Sequence, residues 1–500
     1  MPNRDTTTFD APPPPASDGR ARALVVTVLA HPDPRRIGSQ AELCRGAAGV
    51  AIHRDAPSFS LSASPPRPLA TRHVSRQPLL VDGDSAGAVL RSGGGRPVVV
   101  DGCTATEHPL SASRLAAGVV VELGPRVLLL LRAGRPVEDA GALGLLGPSP
   151  ELDALRAEIR LVGSTDHPAL IRGETGVGKE RVAEAIHRCS RRAPRRLVAV
   201  NCAAIPPTTA ASQLFGHARG AYTGSVGSHA GYFAEADGGT LFLDEIGEVG
   251  TEVQSMLLRA LEAHQIQPVG GDVRRVDARV LSATDADLEG LVAQARFRSA
   301  LLHRLGATVL SVPPLRLRRE DIPFQLVAFL REELGPRVGL LDDPADRAGT
   351  PGEEPAEPWL GADVIRACVA HDWPGNSREL RAVARWIALH GAGRSTAPVP
   401  LLGAPRAPVE TDAPPDAARI RSALDAAEHR IEVAAKALGL TRGALRQRMR
   451  ELGIRRAADL TAEEIAAARA RVGGDIAAVA AALQVGEHAL RLRLGALARE

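Results

Sequence analysis

Apolar and polar positions along the chain fall into successive rhythms, and each rhythm predicts a different kind of element. Residues 1–21 hold no sustained apolar run and include Pro12-Pro13-Pro14-Pro15, so they cannot bury enough surface to offset ordering entropy and are predicted to form a disordered tail. From 22 to 133, short β-type runs (Leu24–Leu29, Pro78–Val81, Pro97–Asp101, Gly118–Leu123 and Arg126–Leu131) alternate with Gly, Pro and Ser clusters. That spacing predicts a β-sandwich, closed by a hairpin at Gly124-Pro125. From 146 to 335 strands alternate with amphipathic helices, the pattern of an α/β unit with a parallel sheet covered on both faces. A helical lid is expected over 336–395, carrying a Pro-, Gly-, Asp- and Glu-rich solvated insertion, and a Pro- and Ala-rich linker over 396–416. The remainder is all-α and repeats itself: Ala435-Lys436-Ala437-Leu438 in the unit 417–456 aligns with Ala480-Ala481-Ala482-Leu483 in the unit 460–500. Leu445-Arg446-Gln447-Arg448 likewise aligns with Leu490-Arg491-Leu492-Arg493, so two tandem copies of one helical motif are expected.

Composition narrows the setting. With 500 residues, 44% of them hydrophobic, the chain can build several cores and is too long for one ordinary domain. A net charge of +3 supplies no global field for nucleic acid, so any DNA contact must come from a local basic patch. Cys44, Cys103, Cys189, Cys202 and Cys368 lack the paired short spacings of zinc sites or disulfide frameworks, which suits a reducing compartment. No stretch approaches the roughly 20 apolar residues of a membrane span. A cytoplasmic protein with no membrane partner is expected.

The sharpest chemical signal begins at the apolar strand Ala169-Leu170-Ile171-Arg172, followed by Gly173-Glu174-Thr175-Gly176-Val177-Gly178-Lys179-Glu180 and a helix through His187. A phosphate-binding loop needs this order: glycines let backbone N–H groups close on phosphate oxygens, the helix N-terminus adds its positive end, and Lys179 reaches the outer phosphates. Glu180 stands where the general pattern has a Ser or Thr on magnesium. Downstream, Thr240-Leu241-Phe242-Leu243-Asp244-Glu245 is an apolar strand ending in two carboxylates. Asp244 is expected to hold Mg²⁺ through water, and Glu245 to act as base on the water that attacks ATP.

These segments, together with Val200-Asn201-Cys202-Ala203-Ala204-Ile205, Leu214-Phe215-Gly216-His217, Gly220-Ala221-Tyr222-Thr223-Gly224-Ser225 and Trp373-Pro374-Gly375-Asn376-Ser377-Arg378-Glu379-Leu380, closely resemble the sigma-54-interacting AAA+ transcriptional activators, the bacterial enhancer-binding proteins. In that family Glu at the position of Glu180 is usual. The resemblance implies an AAA+ P-loop ATPase using ATP and Mg²⁺, with Gly220–Ser225 as the loop that presses on sigma-54 and Thr223 as its key threonine. Tyr222 stands where Phe is commoner, and Ser225 where Ala is usual. The likeness further implies Asn201 as a switch residue paired with the acidic strand's Glu, Thr284 as a γ-phosphate sensor, and Arg298 and Arg304 as the pair reaching a neighbouring subunit's ATP. Arg378 is implied as the lid arginine that reads nucleotide in its own subunit. A site shared between protomers implies a homo-oligomeric ring, a hexamer by family likeness.

In the first C-terminal repeat, helix-turn-helix spacing places a turn at Gly439-Leu440 and a cap at Thr441, with Arg442, Arg446, Gln447, Arg448 and Arg450 on the second helix, where they could meet base edges and phosphates. The run Ala434–Arg442 resembles a Fis-type DNA-binding domain. At the N-terminus, Arg36-Ile37-Gly38, Val74-Ser75-Arg76 and Val100-Asp101-Gly102 resemble a forkhead-associated domain, which would make a phosphothreonine protein a partner. Ser39 and Pro78 stand where that fold has a phosphate-gripping Arg and a His, and the loop Asn is missing, so a scaffold or protein-contact role is an equal reading. The whole chain reads as an activator that binds double-stranded DNA and remodels sigma-54 RNA polymerase. The alternatives are a DNA-bound adaptor with a vestigial ATPase and a remodeller of another client.

Overall fold

The computed structural model describes residues 23–43, 49–62, 64–221, 228–335, 360–390, 417–427 and 462–472, with scattered single positions near the C-terminus. It divides into two units, Met1–Arg406 and Ala407–Glu500. The predicted tail, the acidic insertion and the Pro/Ala linker lie outside the described residues.

Leu24–Ala30 is an apolar run without alternation, and the strand it forms, β1, is buried at every position. Such a strand needs cover on both faces. It pairs antiparallel with β2 (Gln40–Leu43) and β10 (Leu128–Ala133). β9 (Val119–Glu122), β6 (Val98–Val100) and β7 (Cys103–Ala105) complete a sheet of order β2-β1-β10-β9-β6-β7. The facing sheet runs β3-β4-β5-β8, from Val50–Ile52, Leu79–Asp84, Gly87–Ser92 and Glu107–Ser111. A short helix, α1 (Ala112–Ala117), bridges β8 to β9. Along β10 alternate residues part: Leu129 and Leu131 enter the sandwich core, while Leu128 and Leu130 enter a second core that lies outside it.

That second core belongs to three helices, α9 (Asp321–Leu334), α10 (Ala362–Ala370) and α11 (Asn376–His390), gathered around the fully buried Trp373. The helical layer therefore begins at Asp321, ahead of the expected boundary at 336, because Leu326 and Leu330 pack with Ile365 and Leu380. Ile37 of the sandwich shares this core. Gly38 has φ +88°, and a Cβ there would lie 2.5 Å from the Phe324 ring, so glycine permits the loop to meet α9. Charged contacts frame the junction. Arg132 donates to Glu320 at 2.7 Å and to both oxygens of Glu151 at 2.7 and 3.1 Å, Arg366 grips Glu122, and the Arg319 guanidinium donates to Gly118 O.

The α/β layer starts with α2 (Pro150–Gly163), N-capped by Ser149. Its strands are β11 (Ala169–Arg172), β12 (Leu197–Asn201), β13 (Thr240–Asp244), β16 (Arg279–Thr284) and β17 (Val309–Ser311), all parallel in the order β12-β13-β16-β11-β17. A small ribbon of β14 (Gln265–Ile266) and β15 (Arg274–Arg275) lies between β13 and β16 in the chain. One face of the sheet is covered by α2 and α3 (Lys179–Arg188), through Leu155, Ile159, Val182 and Ile186. The other is covered by α4 (Pro207–Phe215), α5 (Tyr232–Glu235), α6 (Thr251–Ala263), α7 (Leu288–Ala293) and α8 (Ser299–Leu305), through Phe215, Phe233, Leu257 and Leu301. Each such large apolar side chain contributes about 1.5–3 kcal/mol on burial.

In the second unit, α12 (Ala417–Ala426) and α13 (Ala462–Val472) are described. Ile420, Leu424, Leu445 and Met449 form one apolar cluster, and Ile465, Ala468, Val479 and Leu490 another, one in each repeat. Thr441, Arg442, Arg446, Gln447, Arg448 and Arg450 lie outside the described residues.

Candidate active site

Parallel register aligns the strand ends. Arg172 of β11 pairs with Thr284 of β16, and Asp244 of β13 pairs with Asn201 of β12, so the carboxyl ends of four strands open on one edge. In an open parallel sheet, ligands bind outside that edge, where connections diverge to opposite faces. The loop after β11 lies there. Gly176 has φ +76°, and a Cβ on it would sit 2.3 Å from Gly375 O, so glycine alone lets the loop pass beneath the lid turn Trp373–Asn376. Gly178, in the left-handed region, starts α3, whose N-terminus brings its free N–H groups and positive dipole end to the loop.

Lys179 is buried, with its ammonium donating to Gly173 O at 3.1 Å and lying 3.5 Å from Glu245 Oε1. Glu245 follows β13 at φ +55°, a backbone state that turns its side chain out of the strand path. Asp285, one residue beyond β16, accepts a hydrogen bond from the Thr175 hydroxyl and shares another with Glu245. Burial raises the Glu245 carboxyl above its ordinary range, the charges of Asp285 and Asp244 add to this, and Lys179 opposes it. Burial acts on Asp285 in the same direction, but the Thr175 hydroxyl and Lys179 overcome it and hold that carboxyl low.

Asp244 Oδ1 is buried and receives no hydrogen bond from any described residue. An acceptor so placed, beside a phosphate loop, fits a hydrated Mg²⁺ whose waters would donate to it. Glu180 is exposed at the start of α3.

A latch joins loop to lid. Both Glu174 oxygens accept from Arg316 at 2.6 and 2.8 Å, and the buried Asn376 carboxamide donates to Glu174 Oε2 at 3.1 Å and Thr175 O at 3.2 Å while accepting from Leu315 N at 2.8 Å. Burial would raise the Glu174 carboxyl, yet the Arg316 and Asn376 hydrogen bonds hold it below its ordinary value. Arg378, on the first turn of α11, has its Cβ 3.0 Å from where a Gly176 Cβ would lie, so it stands next to the loop.

Several residues sit differently from expectation. Asn201 turns its side-chain oxygen to Ala203 N at 2.9 Å, capping the turn Cys202–Ala204, rather than pairing with Glu245. Thr284 is buried and its hydroxyl caps Ala286 N, so the neighbouring Asp285 is what reaches the loop. Arg298 is exposed at the start of α8, and Arg304 donates twice to Leu261 O at 2.9 and 3.2 Å. Gly220 and Ala221 are placed, whereas Tyr222, Thr223, Gly224 and Ser225 lie outside the described residues. The base of their loop is closed by the mutual backbone pairing of His217 and His229, and Val269 pins it by accepting from Ala218 N and donating to Gly216 O. Sequence reasoning missed Asp285, Arg316 and the latch role of Asn376; the one available signal was that Asp285 directly follows the Thr284 sensor position.

Residues 145–311 match the family described as the sigma-54 interaction domain. This segment is a sigma-54 interaction domain. The regulatory protein LuxO of Vibrio cholerae serotype O1 is 44% identical over 251 residues, which are 50% of this chain and 44% of that protein. The anaerobic nitric oxide reductase transcription regulator NorR of Escherichia coli O1:K1 is 41% identical over 288 residues, 57% of this chain and 54% of its own length. The chain thus spans about half the length of the curated relatives it matches. A crystal structure of NtrX from Brucella abortus in complex with ATP shares 33% identity, covering 61% of this chain and 69% of that one, at a TM-score of 0.43. In the sigma-54 interaction domain of this chain, the phosphate loop, the two carboxylates and the base of the Gly220–Ser225 loop all fall within the matched residues.

Proposed function

We propose that this chain is a sigma-54-dependent transcriptional activator that binds DNA and spends ATP hydrolysis on remodelling the closed complex of sigma-54 RNA polymerase. The observation that carries this reading is the meeting of Lys179, Glu245 and the unpartnered Asp244 Oδ1 at the phosphate loop of a sigma-54 interaction domain.

The loop N–H groups and the α3 N-terminus bind the phosphates of ATP, and Lys179 exchanges Glu245 for the outer phosphate oxygens. Released from Lys179, whose charge had weakened its basicity, the Glu245 carboxylate orients the attacking water and takes its proton as the O–P bond forms and ADP leaves. Mg²⁺, held through water by Asp244, neutralises charge on the phosphate oxygens when bound. Arg298 and Arg304 serve a neighbouring copy's site in the ring, Arg304 leaving Leu261 O to do so. The latch Glu174–Arg316–Asn376 carries the change at the loop into the lid, and Gly220–Ser225 delivers it to sigma-54. DNA contact falls to Thr441, Arg442, Arg446, Gln447, Arg448 and Arg450, which concentrate the ring near a promoter. The sandwich acts as a contact domain for the lid, because Ile37 and Gly38, beside the expected phosphothreonine site, are turned to α9.

Glu245→Gln keeps the side chain's shape and removes its basicity. We expect phosphate release to fall roughly 100- to 10,000-fold with nucleotide affinity retained. Equal, low turnover in both proteins would favour the DNA-bound adaptor with a vestigial site. Full turnover without capture of sigma-54 by the complex with a transition-state nucleotide analogue would favour another client.

A further inference from the structure

The two side-chain donors of the phosphate cradle are both engaged by acids of this same chain: the Lys179 ammonium faces Glu245, and the Thr175 hydroxyl donates to Asp285. Glu245 has its place in the hydrolytic chemistry. Asp285 does not, and its position is firmly set. Gly173 N donates to Thr284 O at 3.3 Å, and Arg172 pairs with Thr284 in register, so the residue after Thr284 is tethered at the loop's entrance. The Thr284 hydroxyl is committed to Ala286 N, which leaves the Asp285 carboxylate as the group from β16 that projects to the cradle. It lies half-buried, on the same side as Glu245 and Asp244.

Resting on the reading of this site as an ATP site, we propose that Asp285 is a specificity-determining residue: a carboxylate fixed at the mouth of the cradle that competes with the outermost phosphate, so that a nucleoside triphosphate binds well only together with a divalent cation. Three carboxylates against one ammonium leave the cradle net negative before any phosphate enters. A triphosphate meets that charge with its terminal group, whereas a diphosphate ends short of it. A cation shared between phosphate and carboxylates removes the conflict. An amide at 285 would still accept from Thr175 but carry no charge, so the substitution separates charge from shape.

The test is titration of the full-length chain with fluorescent ATP and ADP analogues, each in Mg²⁺ and in EDTA. Wild type should prefer ADP to ATP in EDTA and lose that preference in Mg²⁺, a result that needs no variant. Asp285→Asn should tighten ATP in EDTA about tenfold or more, as removal of a like charge beside a phosphate implies, with ADP changed less than about twofold. Unchanged or weaker ATP binding in EDTA, or a wild type that favours ATP in EDTA, overturns the proposal. Lys179→Ala keeps the two readings apart. If it loses nucleotide while Asp285→Asn has no effect, only the role of Asp285 fails; if it binds ATP like wild type, the nucleotide site itself fails.

Discussion

Asn376 shows how much one buried carboxamide can hold. It is fully buried at φ +51°, a left-handed state that asparagine tolerates better than most residues, and it satisfies Leu315 N, Glu174 and the Thr175 carbonyl at once. Asn376→Ala leaves a buried N–H and a carbonyl without partners and adds strain at the positive φ. We expect a loss of about 2–4 kcal/mol, read as a lower denaturation midpoint, together with weaker nucleotide binding as the loop loosens. A variant as stable as wild type would remove Asn376 from the latch.

At the scale of elements, the turn after β1 makes a pH prediction. His31 Nδ1 accepts from Asp33 N at 3.0 Å, so its Nε2 must donate to Leu69 O at 2.9 Å, and both ring positions are used only by the neutral form. Burial lowers the imidazole below its ordinary value, Arg36 adds to this, and the Leu69 carbonyl opposes it. Below that ordinary value, 6.5, the unfolded chain binds a proton that the folded one resists. Stability from His31 is thus complete above pH 6.5 and is lost as pH falls towards the folded value. The melting temperature of wild type should drop between pH 7 and 5 more steeply than that of His31→Gln; parallel curves would contradict it. β1 and β11 were legible in the sequence because each is an apolar run long enough to stand out from its turns. β2, β3, β5, β7 and β8 were not, since they are short and several are half-exposed, with Gly87 and Pro109 breaking the β signal. The phosphate loop and the Asp244-Glu245 pair are local patterns and could be read directly. Arg316 with Glu174 and Asp285 with Thr175 are contacts between residues far apart in the chain, which no spacing rule reveals.

For the whole molecule, the sandwich is attached at once to the α/β layer and to the lid. Arg132, on β10, joins Glu151 of α2 to Glu320 at the start of α9, so one guanidinium spans all three parts of the first unit. Glu320 is 1% exposed and would be left as an uncompensated buried charge by Arg132→Met. The expected cost is about 3–5 kcal/mol, seen as faster amide hydrogen exchange along β10 and α9, and largely restored by adding Glu320→Leu. Exchange unaltered by Arg132→Met would mean that the apolar junction of Leu128, Leu130 and Leu326 holds the parts together alone.

The central claim, that ATP cleavage is coupled to sigma-54 through the Gly220–Ser225 loop, is tested most directly by promoter opening with purified sigma-54 RNA polymerase and the full-length chain, with phosphate release followed in the same reaction. Wild type should open the promoter with ATP, and Thr223→Ala should lose opening while phosphate release stays within about threefold of wild type, since that residue contributes no interaction to the transition state of cleavage. Opening by Thr223→Ala at the wild-type rate, or none by an actively hydrolysing wild type, would contradict it.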